Sequence, residues 1–166
     1  MKENYELMEH IYKDAEMAVY TLTTLTNDLK DKDNKIKKTL EDILKEYKGW
    51  EKKSAKYLKK GNKEPLNNGI MTKMMANMGI KKEVISDNSD SSIAKMLIKG
   101  VSTGSVDMEK RIKAYDKDVD KSDLKIAKEF LKFQEKTIDE LKEYWRAFPA
   151  LRSSISEIGS PPNIEA

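Results

Sequence analysis

Cysteine is absent from all 166 residues. Disulfide scaffolds, zinc ribbons, Cys-ligated iron–sulfur clusters and thiol catalysis are therefore excluded. Histidine occurs once, as His10. That rules out His-rich metal sites and the paired-His zincin helix, and leaves a Ser-His-Asp triad a single imidazole to draw on. Up to Phe148 the only proline is Pro65; Pro149, Pro161 and Pro162 fall in the last 18 residues. An interior proline costs a helix about 3 kcal/mol, so this distribution leaves room for long uninterrupted helices. No run of about 18 apolar residues exists to span a bilayer. Sustained alternation is also missing, and Asn68-Gly69 precedes a helical pattern, not a strand.

Apolar residues make up 38% of the chain and charged residues 37%, enough of the former for one buried core. The 32 Lys+Arg and 29 Asp+Glu give a net charge of +3, with the two signs interspersed. Such a pattern describes a solvated surface and not the basic stripe of a nucleic-acid binder. The opening residues, Met1-Lys2-Glu3-Asn4-Tyr5, carry no apolar stretch of the secretory kind. A cytoplasmic protein is the expectation.

Four long segments repeat apolar residues at helical spacing. The first, about Glu3 to Lys30, has Leu7, Ile11, Ala15, Ala18, Leu22, Leu25 and Leu29. A polar turn follows, with Asp33 or Asn34 available as N-cap. The second, about Lys35 to Lys60, has Ile36, Leu40, Ile43, Tyr47, Trp50, Ser54 and Tyr57, and Gly61 stands where a helix C-cap glycine belongs. Residues 62–88 read as a long crossover. Within it Ile70, Met71, Met74, Met75 and Met78 define a short amphipathic helix that Gly79 interrupts, and Asp87-Asn88-Ser89-Asp90 restarts the chain. The third helix runs from about Asp90 to Asp116 through Ile93, Leu97, Gly100, Gly104, Met108 and Ile112. The fourth, about Ser122 to Ala147, carries Ala127, Leu131, Gln134, Ile138, Leu141 and Trp145, with Phe130 and Phe133 on its flanks. Hairpin, long crossover, hairpin is the ferritin-like way to build an antiparallel four-helix bundle. The expected organisation is one all-α domain over residues 1–148 and an irregular tail over 149–166.

Three segments, Met71-Thr72-Lys73-Met74-Met75-Ala76-Asn77-Met78-Gly79-Ile80, Asp87-Asn88-Ser89-Asp90-Ser91 and Val106-Asp107-Met108-Glu109-Lys110, carry a resemblance to a known family. With the four-helix pattern, they make the chain similar to the ferritin-like superfamily, and within it to small clostridial four-helix-bundle proteins with a Met-rich crossover. Functional members of the superfamily hold two iron or manganese ions with a Glu from each of two helices and a Glu-x-x-His from each of the others. Carried over, the resemblance puts Glu16 at the lone Glu of the first helix. Glu46 begins Glu46-Tyr47-Lys48-Gly49, with glycine in the histidine's place, and Gln134-Glu135-Lys136-Thr137-Ile138 supplies no Glu-x-x-His. Counting from the two turns, Glu16 and Glu46 are nearly level, and opposite them lie Gly104 or Ser105 and Gln134. The resemblance thus implies a bundle with a degenerate di-metal site and no expected cofactor, acting by binding or self-assembly and not by catalysis. The alternative is a di-iron or dimanganese carboxylate protein of redox or ferroxidase type, with a His-free site of Glu16, Glu46, Glu109 and Gln134 or Glu135.

Met71, Met74, Met75 and Met78 have the i, i+3, i+4, i+7 spacing of one helix face. Thioethers bind Cu(I), but methionines also fill irregular core gaps or form an adaptable docking surface, and the latter two readings lead here. The implied partners are a second copy or another protein. Gly100 and Gly104 cost a helix about 1 kcal/mol each. Close approach of a bulky neighbour such as Trp50, or room for a ligand, is what would offset that. His10, flanked by Glu6 and Asp14, is expected at the surface with raised proton affinity. The helix tyrosines Tyr12, Tyr20, Tyr47, Tyr57, Tyr115 and Tyr144 are expected at the core boundary with wet hydroxyls.

Overall fold

A computed structural model describes residues 2–146 of the chain. The expected tail, 149–166, lies outside the described residues. Five helices account for the regular structure: α1 (Lys2–Asp28), α2 (Lys37–Lys60), α3 (Ile70–Ser86), α4 (Asp90–Tyr115) and α5 (Lys121–Arg146). No strand occurs among the described residues, and none of the helices is long and apolar enough to cross a membrane. α1 pairs along its length with α2, and α4 with α5, while α3 lies across α1 and α4.

The apolar stripes explain the pairing. Leu7, Ile11, Ala15, Leu22, Leu25 and Leu29 of the first segment are buried, as are Leu40, Ile43, Tyr47 and Leu58 of α2. α4 contributes Ile93, Leu97, Met108 and Ile112. On α5 the core line runs through Ala127, Phe130, Gln134, Thr137 and Leu141, whereas Leu131 is only partly buried. Ala127, Gln134 and Leu141 keep their expected places, while Phe130 and Thr137 replace Leu131 and Ile138 in the core line, with Phe130 and Phe133 turned inward to meet aromatic rings of α2. Tyr47 stands edge-on to Phe133 at 4.8 Å, and Trp50 edge-on to Phe130 at 5.2 Å.

Both ends of the helix assembly are fastened by side chains. At one end, Asn34 Nδ2 donates to Asn88 O (2.7 Å) and Asp90 Oδ1 (2.8 Å), and the Lys35 N–H donates to Asp90 Oδ2. Asn34 thus clamps the α1–α2 turn to the start of α4 instead of capping α2, whose N-cap position is Ile36 with no side-chain hydrogen bond. At the opposite end, Asn4 Nδ2 donates to Asp120 Oδ2 (2.7 Å) and the Asp120 N–H donates back to Asn4 Oδ1. The left-handed residue after α2 is Asn62 (φ 55°) and not Gly61. Glycine is needed at 61 for a different reason: a Cβ there would lie 2.3 Å from the Tyr5 ring.

α3 departs most from expectation. It continues through Gly79 without a break. Its inner side rests on the neighbouring helices through buried Ile80 and Val84. Lys73 forms an ion pair with Glu16, and Asn68 donates to Glu16 Oε2 from both its side chain (2.7 Å) and its backbone N–H (3.2 Å).

Candidate functional site

Halfway along the helices, four side-chain positions meet. Asp14 comes from α1, Tyr47 from α2, Gly104 from α4 and Gln134 from α5. Gln134 is fully buried, and its Nε2 donates to Asp14 Oδ2 at 2.6 Å. Its Oε1 is buried without a hydrogen-bond partner among the described residues. Gly104 makes room for this pair: a Cβ would sit 2.6 Å from Asp14 Oδ2 and 2.9 Å from Gln134 Nε2. The carboxyl of Asp14 is pushed up to about 6, chiefly by burial and further by the charge of Asp107, against the opposing pull of the Gln134 hydrogen bond. Burial, with help from the nearby Asp14 charge, raises the Tyr47 phenol far above its ordinary value.

Beside this cluster lies a cavity of about 640 Å³, bounded by α1, α2, α3, α4 and α5. Its walls are mainly apolar, with Leu22, Ile43, Ile80 and Leu97 among them, and Asp14 and Tyr47 border it. Lys82, Glu83, Lys95 and Lys99 supply its charged border. Asp14 keeps some accessible surface because it borders the cavity, although protein encloses it on most sides.

The four residues of the possible metal set are not brought together. Glu16 faces α3, where Lys73 and Asn68 occupy its oxygens and hold its carboxyl below the usual range despite burial. Glu46 is exposed, 3.7 Å from Lys136. Glu109 is exposed and paired with Lys113 at 2.7 Å. Only Gln134 points into the middle, toward Asp14. Among the described residues no group of three or more His, Asp or Glu could hold a metal ion. These donors do not fit a ferritin-type two-metal centre, in which carboxylates from several helices must converge within about 2.2 Å of each ion.

Three further expectations are corrected. His10 is not a surface imidazole with raised proton affinity: burial and the Arg111 charge lower it to about 4, although Asp107 opposes this, and its Nε2 is buried without a hydrogen-bond partner among the described residues. Tyr47 and Tyr12 are not boundary residues but core, 2% and 8% exposed. Trp50 packs on Phe130 and offsets neither helix glycine: Gly104 adjoins Asp14 and Gln134, and Gly100 has open space around it. Replacing Gly100 by Ala should therefore stabilise the protein by about 0.5–1 kcal/mol. Gly104→Ala should destabilise it by about 1–2 kcal/mol, because the displaced hydrogen bond outweighs the same gain in helix propensity. Urea unfolding of the two variants checks this, and equal signs would count against the geometry.

The methionine face lies outward. Met71, Met74, Met75 and Met78 are 57–73% exposed. Asp14, the residue missed at the sequence level, did leave a signal. It stands seven residues after Leu7 and four before Ala18, an angle inside the apolar stripe.

Comparison with protein-family models, curated proteins and solved structures returns no match for this chain. Fold and site together define an all-helical protein with a carboxylate–amide pair at its centre and an uncovered apolar helix on its flank.

Proposed function

We propose that this protein is a cytoplasmic ferritin-like four-helix bundle that acts by association and not by catalysis, pairing with a second copy through α3. The observation that carries the reading is that α3 is apolar on both sides. Ile80 and Val84 face the bundle, while Ile70, Met71, Met74, Met75, Met78 and Ile85 fall on the other side and remain exposed. An exposed apolar helix face of this extent marks a docking surface. With Leu66, the outer residues present on the order of 800 Å² of apolar surface, the area each partner contributes to a standard interface.

A second copy is the occupant favoured by composition. Among the described residues, Val106 is the one large exposed apolar side chain that lies outside α3 and the loop before it. The matching apolar face on another copy is therefore α3 itself, as an isologous two-fold contact requires. Lys73 does not interrupt this face, because it turns inward to Glu16. Lys81 and Lys82 sit toward one end of the helix, and antiparallel pairing keeps them away from the same residues of the other copy.

Sedimentation over tens of micromolar tests the proposal. The wild-type chain should sediment as a dimer, and the double variant Met74→Lys, Met75→Lys as a monomer with unchanged helicity. A wild-type monomer across that range would reject self-association, as would a dimer indifferent to the two lysines.

A further inference from the structure

The central cavity has the features of a binding site that self-association does not use. Its volume, about 640 Å³, lies within the range of small-molecule pockets, which are commonly apolar with a few placed polar groups. The polar group here is unusual. Carboxylates are seldom enclosed without a cationic partner, because desolvation disfavours their charge. Among the described residues Asp14 has none: its hydrogen bond comes from the neutral amide of Gln134. Acceptors also outnumber donors at this level. Gln134 Oε1 lacks a partner, Gln134 Nε2 serves Asp14 Oδ2, and no hydrogen bond to Asp14 Oδ1 occurs among the described residues. Beside Gln134, the donor at this level is the neutral Tyr47 hydroxyl; what the cluster lacks is a positively charged group.

We propose that the cavity binds a small apolar amine, its ammonium group on the Asp14 carboxylate and its hydrocarbon body along Leu22, Ile43, Ile80 and Leu97. Helix α3 forms one wall, through Ala76, Gly79 and Ile80, so a bound molecule would be sandwiched between α3 and the two hairpins. Gly100, open to the same space, keeps the α4 wall clear of side chains. The border sets Lys82, Lys95 and Lys99 against Glu83, a net positive charge that disfavours a second cationic group at the outer end. The ligand class is therefore a monoamine, or an amine with an anionic outer end. A fatty acid, by contrast, would bring its charge to the lysines and leave Asp14 unpaired against its tail.

Octylamine, octanol and octanoate, matched in chain length, separate these chemistries by calorimetry at pH 7.5. Octylamine should bind saturably in the sub-millimolar range and at least about tenfold more tightly than octanol, the factor expected of a charge-assisted hydrogen bond. Asp14→Asn keeps an acceptor for Gln134 and should abolish that preference. Ala76→Phe, which fills the cavity from α3, should weaken both ligands together. Equal binding of amine and alcohol, tighter binding of octanoate, or an amine preference that survives in Asp14→Asn would overturn the proposal. Absence of saturable octylamine binding, or unchanged binding in Ala76→Phe, would overturn it equally.

Discussion

Asp14→Asn is expected to make the ligand-free protein more stable at pH 7.5, by about 2–3 kcal/mol, and to lose that advantage near pH 4. The carboxyl titrates near 6 in the folded chain against an ordinary 3.8, with burial as the main cause. Its native state thus holds a proton more tightly than its unfolded state. Stability from the protonated group is full below about 3.8 and is lost as pH rises through 6. Two units at 1.36 kcal/mol each set the scale of the loss. Asparagine carries no charge to desolvate, still accepts from Gln134, and brings an N–H within the same cluster as the unpartnered Gln134 Oε1.

His10 supplies the opposite slope on the same helix. Its folded value, about 4, lies below the ordinary 6.5. Stability from the neutral imidazole is present above 6.5 and is lost as pH falls toward 4. At pH 5 the folded chain holds its proton on Asp14 and the unfolded chain holds one on His10, so the two contributions cancel. The wild-type protein should show little net pH dependence from this pair between about 4 and 6. Asp14→Asn should expose a stability that rises with pH, and His10→Gln one that falls. Urea unfolding at half-unit pH steps reads all three. A less stable Asp14→Asn at pH 7.5 would contradict the assigned burial.

How much of this was legible in the sequence depended on what each residue was asked to reveal. Helix existence followed from the period of Leu7, Ile11, Ala15 and their counterparts, since burial of a stripe is a local property of spacing. Side-chain partners across helices were not local. Nothing near Gly61 in the chain announces the Tyr5 ring, and nothing near Gly104 announces Asp14. The inward place of Phe130 and Phe133 involves Tyr47 and Trp50, one hairpin away. For His10, charge and the neighbours at i±4 favour the surface, and Asp14 enters only as one of those neighbours. The angles of His10 and Asp14 put them against α4 and α5, where desolvation outweighs those neighbours. The outward turn of the methionines was open for a related reason: α3 is apolar on both sides, so periodicity alone does not choose which side faces the bundle.

Phe130→Ala is expected to produce the largest loss of stability, about 3–5 kcal/mol, or roughly 10 °C in Tm for a chain of this size. Phe130 is fully buried. Its ring lies 5.2 Å from Trp50, 6.1 Å from Phe133 and 6.4 Å from Tyr47, and such pairs add about 0.5–1.5 kcal/mol beyond area burial. These rings fill the space between α2 and α5, so truncation leaves a void that two long helices cannot close without shifting as rigid bodies. The loss should therefore appear in the global unfolding transition and lower the protection of amides in all four long helices together. α3 should behave differently. It is tied on by Ile80, Val84 and the Glu16–Lys73 pair, few contacts beside those of a core helix, and should open at lower free energy than the hairpins. Hydrogen exchange in Phe130→Ala would then show α3 almost unchanged while α2 and α5 lose protection. Parallel loss in α3 would mean that the cavity wall and the aromatic core unfold as one unit.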